Sequence, residues 1–188
     1  MALRFQHFLG YGSTQKNQVL TLLKILVEDE CILSPKEQRK DSDDDNVYVK
    51  YAFPWHAHTI RGIYTEGITI CIDPNFFREG RHTYNTYWGG NGTEYDGKDF
   101  DDFLTEFDKT SKKTVMKNEE EHGIQGDSNY RYASFVGEIL VSKGVPRKYF
   151  KKIVVRARQG GMSKSDDFIL KALMKDQRFS HLFEIIIS

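Results

Sequence analysis

Glu138 is the only carboxylate within a strand-like apolar run, residues 135–141 (FVGEILV). A buried carboxylate without a partner is costly, so such a residue is usually paired, faces solvent or takes part in chemistry. The preceding Gly137 lets a ligand or another backbone approach the strand closely. Two interpretations stay open: a functional carboxylate, or a solvent-facing one paired with a lysine such as Lys143 or Lys152.

Histidines offer a second kind of chemistry. His56 and His58 stand two apart in an extended segment, so both imidazoles project to one side, as metal ligands must. His82, His122 or Asp73 would complete a ligand set. Their spacing does not tie them together, so a metal-dependent nuclease or hydrolase is a third hypothesis, and no metal ligand is assigned.

Two further patterns are better explained by helix starts. Residues 13–16 (STQK) match the S-x-x-K of serine acylases, but the companion motifs are missing and a helix N-terminus needs the same residues. Residues 160–165 (GGMSKS) precede a helix and lack the spacing of a phosphate-binding loop. We therefore interpret both patterns as caps, the second through Ser163 or Ser165.

Hydrophobic spacing predicts the elements that position these residues. Strands are expected at 3–8, 47–53, 67–73, 132–141, 153–157 and 182–187, and helices at 15–28, 99–116 and 162–178. The charged segment 36–46 is predicted to be a loop, and the aromatic, glycine-rich segment 81–98 a binding loop. Connections are mostly too short for repeated βαβ crossovers, so we expect an α+β fold. The prediction is a single domain, 1–188, with a mixed or antiparallel β core and three main helices.

Composition narrows the class of protein. The 188 residues are 39% hydrophobic and 29% charged with no net charge, which is typical of a globular domain. No apolar run approaches the roughly 20 residues that cross a bilayer, and the N-terminus lacks the pattern of a signal peptide. Cys31 and Cys71 are too few for a disulfide scaffold, so reduced thiols are expected. The sequence therefore predicts a cytoplasmic protein, or one delivered into a target cell's cytosol, without a membrane partner.

Charge is unevenly distributed along the chain. Residues 94–121 are acid-rich, whereas residues 143–178 carry eleven lysines and arginines against three aspartates. A basic segment of this kind either faces the phosphates of a nucleotide or nucleic acid or forms a solvated helix face.

The two ends of the chain resemble the ADP-ribosyltransferase superfamily, most closely its DarT-like toxin group. In that group the catalytic glutamate lies in a strand that reads roughly E-[FI]-L-V, followed by V-P and a final I-V-V. Here the matching residues are Glu138-Ile139-Leu140-Val141, Val145-Pro146 and Ile153-Val154-Val155. The first strand and a helix reading L-x-x-I-L, ending near Ile32-Leu33-Ser34, match more loosely. The family's serine-bearing second strand is not visible, and the resemblance covers about a quarter of the chain.

The resemblance implies that NAD is the substrate and that ADP-ribose is transferred to a protein or nucleic-acid acceptor, by a toxin, effector or phage-defence enzyme. Glu138 would stabilise the oxocarbenium-like transition state. Candidates for contacting NAD are His7 and Arg4 on the first strand, Tyr11 and Ser13 in the loop after it, Tyr84 in segment 81–98, and Arg61. His7 and Arg4 stand three apart and face opposite sides, and we favour His7 for the cleft.

A hypothesis from another class is a non-catalytic binding protein, such as an inhibitor or immunity factor. It would use the aromatic segment 81–98 and the acidic middle of the chain. For the enzyme hypothesis, the expected partners are the acceptor macromolecule and an inhibitor or antitoxin protein.

Overall fold

The structure is a computed structural model, and it describes residues 4–9, 15–38, 42–52, 67–85, 93–96, 99–105, 109, 137–157 and 163–187. Within these residues helix and strand are mixed and most strand pairs are antiparallel, in agreement with the α+β prediction. None of the helices described is long and apolar enough to cross a bilayer.

The described strands are β1 (Arg4–Phe8), β2 (Cys31–Leu33), β3 (Asn46–Ala52), β4 (Gly67–Ile72), β5 (Arg81–Asn85), β6 (Thr93–Asp96), β7 (Gly137–Ser142), β8 (Gly144–Pro146), β9 (Phe150–Ala157) and β10 (Phe183–Ile187). The helices are α1 (Gln15–Leu23), which continues as a π-helix (Lys24–Asp29), α2 (Pro35–Gln38) and α3 (Lys164–Lys175). Residues 100–105 are also helical, and short 3-10 turns occupy Pro74–Arg78, Arg147–Tyr149 and Ser180–Leu182.

The chain divides into two compact units, each built from three stretches of sequence. The first contains Met1–Phe5, Tyr48–Ile63 and Pro74–Val141, and the second contains Gln6–Val47, Tyr64–Asp73 and Ser142–Ser188.

The second unit is built on strands in the order β10-β9-β4-β1. β4 pairs antiparallel with β9, with Ile70 opposite Ile153, and β10 runs parallel to β9, with Phe183 opposite Ile153. Ile68, Thr69 and Ile70 are consecutive and all buried, which means that both faces of β4 are covered. A strand covered on both faces reads as a continuous β-branched run, as GITICI does.

Two helices of this unit pack against each other, α1 and α3, and α1 also packs on β4. Gln18 of α1 is 8% exposed, and its Oε1 accepts a hydrogen bond from the backbone N–H of Ile68 at 2.8 Å. Gly67 has φ +125°, and a Cβ there would lie 2.9 Å from Gln18 Oε1. The start of β4 therefore needs glycine, because the amide of Gln18 and the backbone angle both exclude a side chain.

A two-stranded ribbon joins β2 and β8, with Ile32 opposite Val145. A Cβ on Gly144 would lie 2.6 Å from the carbonyl oxygen of Ile32 and 2.8 Å from Cys31 Sγ. Burial, with Asp29 nearby, raises the pKa of the Cys31 thiol. Neither Cys31 nor Cys71 forms a disulfide, and both are half-buried.

Arg147 makes hydrogen bonds and an ion pair to the end of the π-helix in the second unit. Its guanidinium donates to the carbonyl oxygen of Leu26 and lies 2.8 Å from Glu30 Oε1, while its backbone N–H donates to the Glu30 carbonyl oxygen at 2.8 Å. The guanidinium carbon lies 5.1 Å from the ring centroid of the fully buried Phe179. Orphan carbonyls at a helix end require donors, and one arginine supplies them from a different element.

The first unit has strands in the order β3-β7-β5-β6. β5 and β6 form an antiparallel hairpin, with His82 opposite Tyr95. An aromatic cluster packs beside them. Phe77 is its centre, with ring centroids 4.6 Å from Phe5 and 5.8 Å from Phe100. Since these rings are almost fully buried, the cluster is the core of this unit.

Several predicted boundaries are wrong. Segment 81–98, predicted to be an irregular binding loop, contains β5 and β6. Segment 36–46, predicted to be a loop, begins inside α2. The helix predicted for 15–28 becomes a π-helix at Lys24. In segment 81–98 the strands form through pairing with distant parts of the chain. In segment 36–46 a local cap favours the helix, because Ser34 Oγ accepts a hydrogen bond from the N–H of Glu37 at 3.3 Å.

Candidate functional site

Glu138 occupies a fixed backbone position on β7, an inner strand of the first unit between β3 and β5. In the register with β5, Glu138 is opposite Asn85, Ile139 opposite Tyr84, and Leu140 opposite Thr83. A residue on an inner strand has its backbone held from both sides, which suits a position that must hold a reacting group still.

The burial of β7 explains how a carboxylate fits within an apolar run. Ile139 is fully buried and Val141 is 1% exposed, whereas Leu140 between them is half-buried. Because residues alternate along a strand, position 138 shares its face with Leu140 and not with Ile139 and Val141. Alternation therefore places position 138 on the face opposite that of the two buried residues.

Tyr84 is the predicted site residue that the structure places nearest to Glu138 in strand register. It stands on β5, one step along the ladder from Asn85, the residue opposite Glu138. The pairing of β5 with β7 was not predicted, because a loop was expected there. No local sequence pattern could have revealed it, since the paired residues are more than fifty positions apart.

The remaining predicted contacts of NAD have different outcomes. Arg4 and His7 both lie on β1, as predicted, and His7 is half-buried and in contact with neighbours. Tyr11, Ser13 and Arg61 lie outside the described residues. Arg4 belongs to the first unit with Glu138 and Tyr84, and His7 to the second.

Gln6, between Arg4 and His7, is a polar residue that was not singled out from the sequence. It is 6% exposed, and its Nε2 lies 3.7 Å from Cys71 Sγ. Its only sequence signal is its place among the polar residues Arg4 and His7 of the same strand.

His82, one of the histidines considered for a metal site, is a structural residue of the aromatic core. It is 7% exposed, its Nε2 lies 3.0 Å from the Glu79 carbonyl oxygen, and its ring centroid is 5.3 Å from that of Phe76. Among the described residues no group of three or more histidines, cysteines or carboxylates is placed to hold a metal ion. His56, His58 and His122 lie outside those residues.

We expect the stability of the protein to fall in mild acid because of His82. Burial lowers the pKa of this imidazole below its ordinary 6.5, the backbone hydrogen bonds opposing that shift only in part. Below pH 6.5 the unfolded chain binds the proton first, so up to about 1.4 kcal/mol of stability is lost per pH unit until the folded pKa is reached. Urea unfolding at pH 7.5 and 5.5 measures the loss. A His82→Gln variant should have the shallower pH dependence, and an equal slope would contradict the assignment.

Three basic residues in the second half of the chain make ion pairs at the surface. Lys152 lies 2.8 Å from Glu184, Lys171 lies 2.6 Å from Asp167, and Arg178 lies 2.7 Å from Asp176. The hydrogen bonds of Arg178 lower the pKa of Asp176 to about 2. These contacts favour the solvated-face interpretation for part of the basic segment 143–178 over phosphate binding.

Ser163 is the N-cap of α3, as predicted for the glycine-rich segment before it. Its hydroxyl accepts from the N–H of Asp166 at 3.2 Å and donates to the buried Asp166 carboxylate. The side-chain cap gives Ser163 and Asp166 a structural explanation.

These observations define a protein of mixed helix and strand, with a strand carboxylate at an inner position of its first unit. No family model, curated protein or solved structure matches the chain.

Proposed function

We propose that the protein is an NAD-dependent ADP-ribosyltransferase with Glu138 as its catalytic carboxylate. The observation that supports the proposal is the position of Glu138 on an inner strand, in register opposite Asn85. Alternation places it on the other face from the buried Ile139 and Val141. The sequence run that continues through Val145-Pro146 to Ile153-Val154-Val155 also supports it.

The reaction requires a fixed negative charge beside a developing positive one. When the bond between nicotinamide and ribose C1′ breaks, nicotinamide leaves with the bonding electron pair and the ribose becomes an oxocarbenium-like cation. A carboxylate at the ribose 2′-hydroxyl stabilises that cation. The acceptor then attacks C1′ and releases its proton, so that the products are nicotinamide, ADP-ribosylated acceptor and a proton.

Position 85 on β5 is directly opposite Glu138, so it shares the face of the carboxylate and is the nearest described position for a contact with NAD. Tyr84 is opposite the buried Ile139, so alternation places it on the other face, and its contact with NAD stays a prediction from the sequence. The acceptor in this proposal is a protein or a nucleic acid.

NAD should raise the thermal unfolding midpoint of the full chain. At 100 times its Kd a ligand adds about 2.7 kcal/mol to the stability of the folded state. For a chain of this length each kcal/mol corresponds to about 2–4 °C. The measurement is a thermal scan with NAD at increasing concentration, with ATP as the control that lacks the nicotinamide ribose. No shift at millimolar NAD would contradict the proposal and favour the non-catalytic binding protein.

A further inference from the structure

One face of α3 carries a phenylalanine among lysines. Exposed residues at helical spacing form this face, which we call the Phe168 face: Lys164, Phe168, Lys171, Ala172 and Lys175. At about 100° per residue these five side chains fall within roughly a third of the helix circumference. The buried residues Asp166, Leu170 and Leu173 lie on the opposite side. The helix is therefore cleanly amphipathic, with a single large apolar side chain on its outer face.

The exposure of Phe168 exceeds that of the other exposed large apolar side chains among the described residues. Phe168 is 75% exposed, whereas Leu20, Val27, Tyr48 and Ile185 are 40–44% exposed. Helix propensity does not explain it, because phenylalanine forms helices less well than the alanine or lysine found beside it. Local structure does not require this ring, and an exposed aromatic side chain offers a large contact area to a partner.

Lysines are the charged residues of the Phe168 face, and Asp167 lies beside it. Lys164 and Lys175 lie on either side of Phe168, about 16 Å apart along the helix axis at a rise of 1.5 Å per residue. Neither makes an ion pair within the described residues. Lys171 is neutralised by Asp167 at 2.6 Å. The face thus presents one aromatic anchor between two ammonium groups.

We propose that the Phe168 face binds an acidic surface of a protein partner that has an apolar pocket for the phenylalanine ring. A single aromatic anchor with charges at its edge is the arrangement found at protein interface hot spots. The lysines would pair with carboxylates at the rim of the pocket, which accelerates association and selects the partner. Ala172, next to Phe168 on the helix, lets the partner approach closely.

The other two classes of partner fit this face less well. Nucleic-acid binding gains affinity by neutralising many phosphates, whereas this face offers two ammonium groups that pair with none of the described carboxylates. A helix that lies on a membrane inserts a broad apolar face, but the apolar side of α3, with Leu170 and Leu173, is already buried. A protein with an apolar pocket and carboxylates at its rim contacts the Phe168 ring and both lysines at once.

The proposal does not rest on the proposed enzymatic function. The Phe168 face belongs to the second unit, and Glu138 to the first. NAD binding by a variant at position 168 reports on the first proposal, and peptide binding reports on the second, so that either one can fail alone.

Selection from a random peptide library displayed on phage, with the full chain as bait, tests the proposal. We expect the enriched peptides to combine acidic residues with at least one large apolar residue. Labelled copies of these peptides should bind in fluorescence anisotropy, and Phe168→Ser should raise the Kd at least tenfold, roughly the effect of losing a hot-spot residue. Lys164→Gln together with Lys175→Gln should weaken binding and remove most of its salt dependence.

Leu20→Ser is the matched control, since Leu20 is an exposed apolar residue of α1, and it should leave the Kd unchanged. Because Phe168 is exposed, the Ser variant should keep the wild-type unfolding midpoint. Enriched peptides without acidic residues, or a Kd that Phe168→Ser does not change, would overturn the proposal. Phe168-dependent binding to a short single-stranded oligonucleotide or to phosphatidylserine vesicles, without peptide binding, would also overturn it.

Discussion

A Glu138→Gln variant is expected to lose at least about a hundredfold of the rate of nicotinamide release from NAD, with the fold retained. Glutamine has nearly the shape of glutamate but no charge, so the ground-state contacts of NAD change little while stabilisation of the oxocarbenium-like state is lost. The loss should therefore appear in kcat more than in KM. The fold should tolerate the change because position 138 shares its face with the half-buried Leu140.

The control for this variant is Glu184→Gln. Glu184 is also a strand glutamate, on β10, and its carboxylate pairs with Lys152 in the second unit. It should release nicotinamide at the wild-type rate. If both variants released nicotinamide at the wild-type rate, Glu138 would not be the catalytic carboxylate. Thermal unfolding of both variants separates a catalytic loss from a folding defect.

An Arg147→Met variant is expected to lower the free energy of unfolding by about 2–3 kcal/mol, as for loss of a hydrogen bond from a charged group to a buried partner. The Arg147 side chain is 25% exposed. It donates a hydrogen bond to the Leu26 carbonyl oxygen and forms an ion pair with Glu30. Methionine keeps much of the aliphatic length but donates no hydrogen bond. The end of the π-helix would then have a buried carbonyl without that donor.

Arg178→Met is the matched comparison, because Arg178 lies over the same Phe179 ring, with its guanidinium carbon 4.7 Å from the centroid. Arg178 is exposed and pairs with Asp176 on the surface, where ion pairs contribute little. Its variant should unfold at nearly the wild-type urea concentration. Equal losses for both arginines would show that contact with Phe179, and not the hydrogen bond to Leu26, is what matters.

Elements with strong local signals were predicted well from the sequence. β4 and α3 are each within a few residues of their predicted bounds, because GITICI is a β-branched run and α3 has a regular apolar spacing. The β5–β6 hairpin was missed, because glycines and aromatics in segment 81–98 indicated an irregular loop. β2 and β8 were missed because they are three residues long and pair across more than a hundred positions.

In the candidate site, too, features with a local sequence signal could be predicted and features that depend on long-range pairing could not. The strand that carries Glu138 could be predicted from the alternation and apolar content of residues 135–141. Its neighbours could not, because Asn85 and Tyr84 are brought beside it by pairing between distant strands. The exposed position of Phe168 was not predicted, although the helical spacing of α3 places it on the side of Lys164, Lys171 and Lys175.

The parallel pair β9 and β10 has a consequence for the order of folding. Its partners Ile153 and Phe183 are thirty positions apart and are joined through α3, whereas Ile153 and its β4 partner Ile70 are eighty-three positions apart. Closing the shorter loop costs less chain entropy, so contacts of low sequence separation form sooner. We therefore expect β9, α3 and β10 to act as a local nucleus, onto which β4 and then the N-terminal segments of the second unit condense.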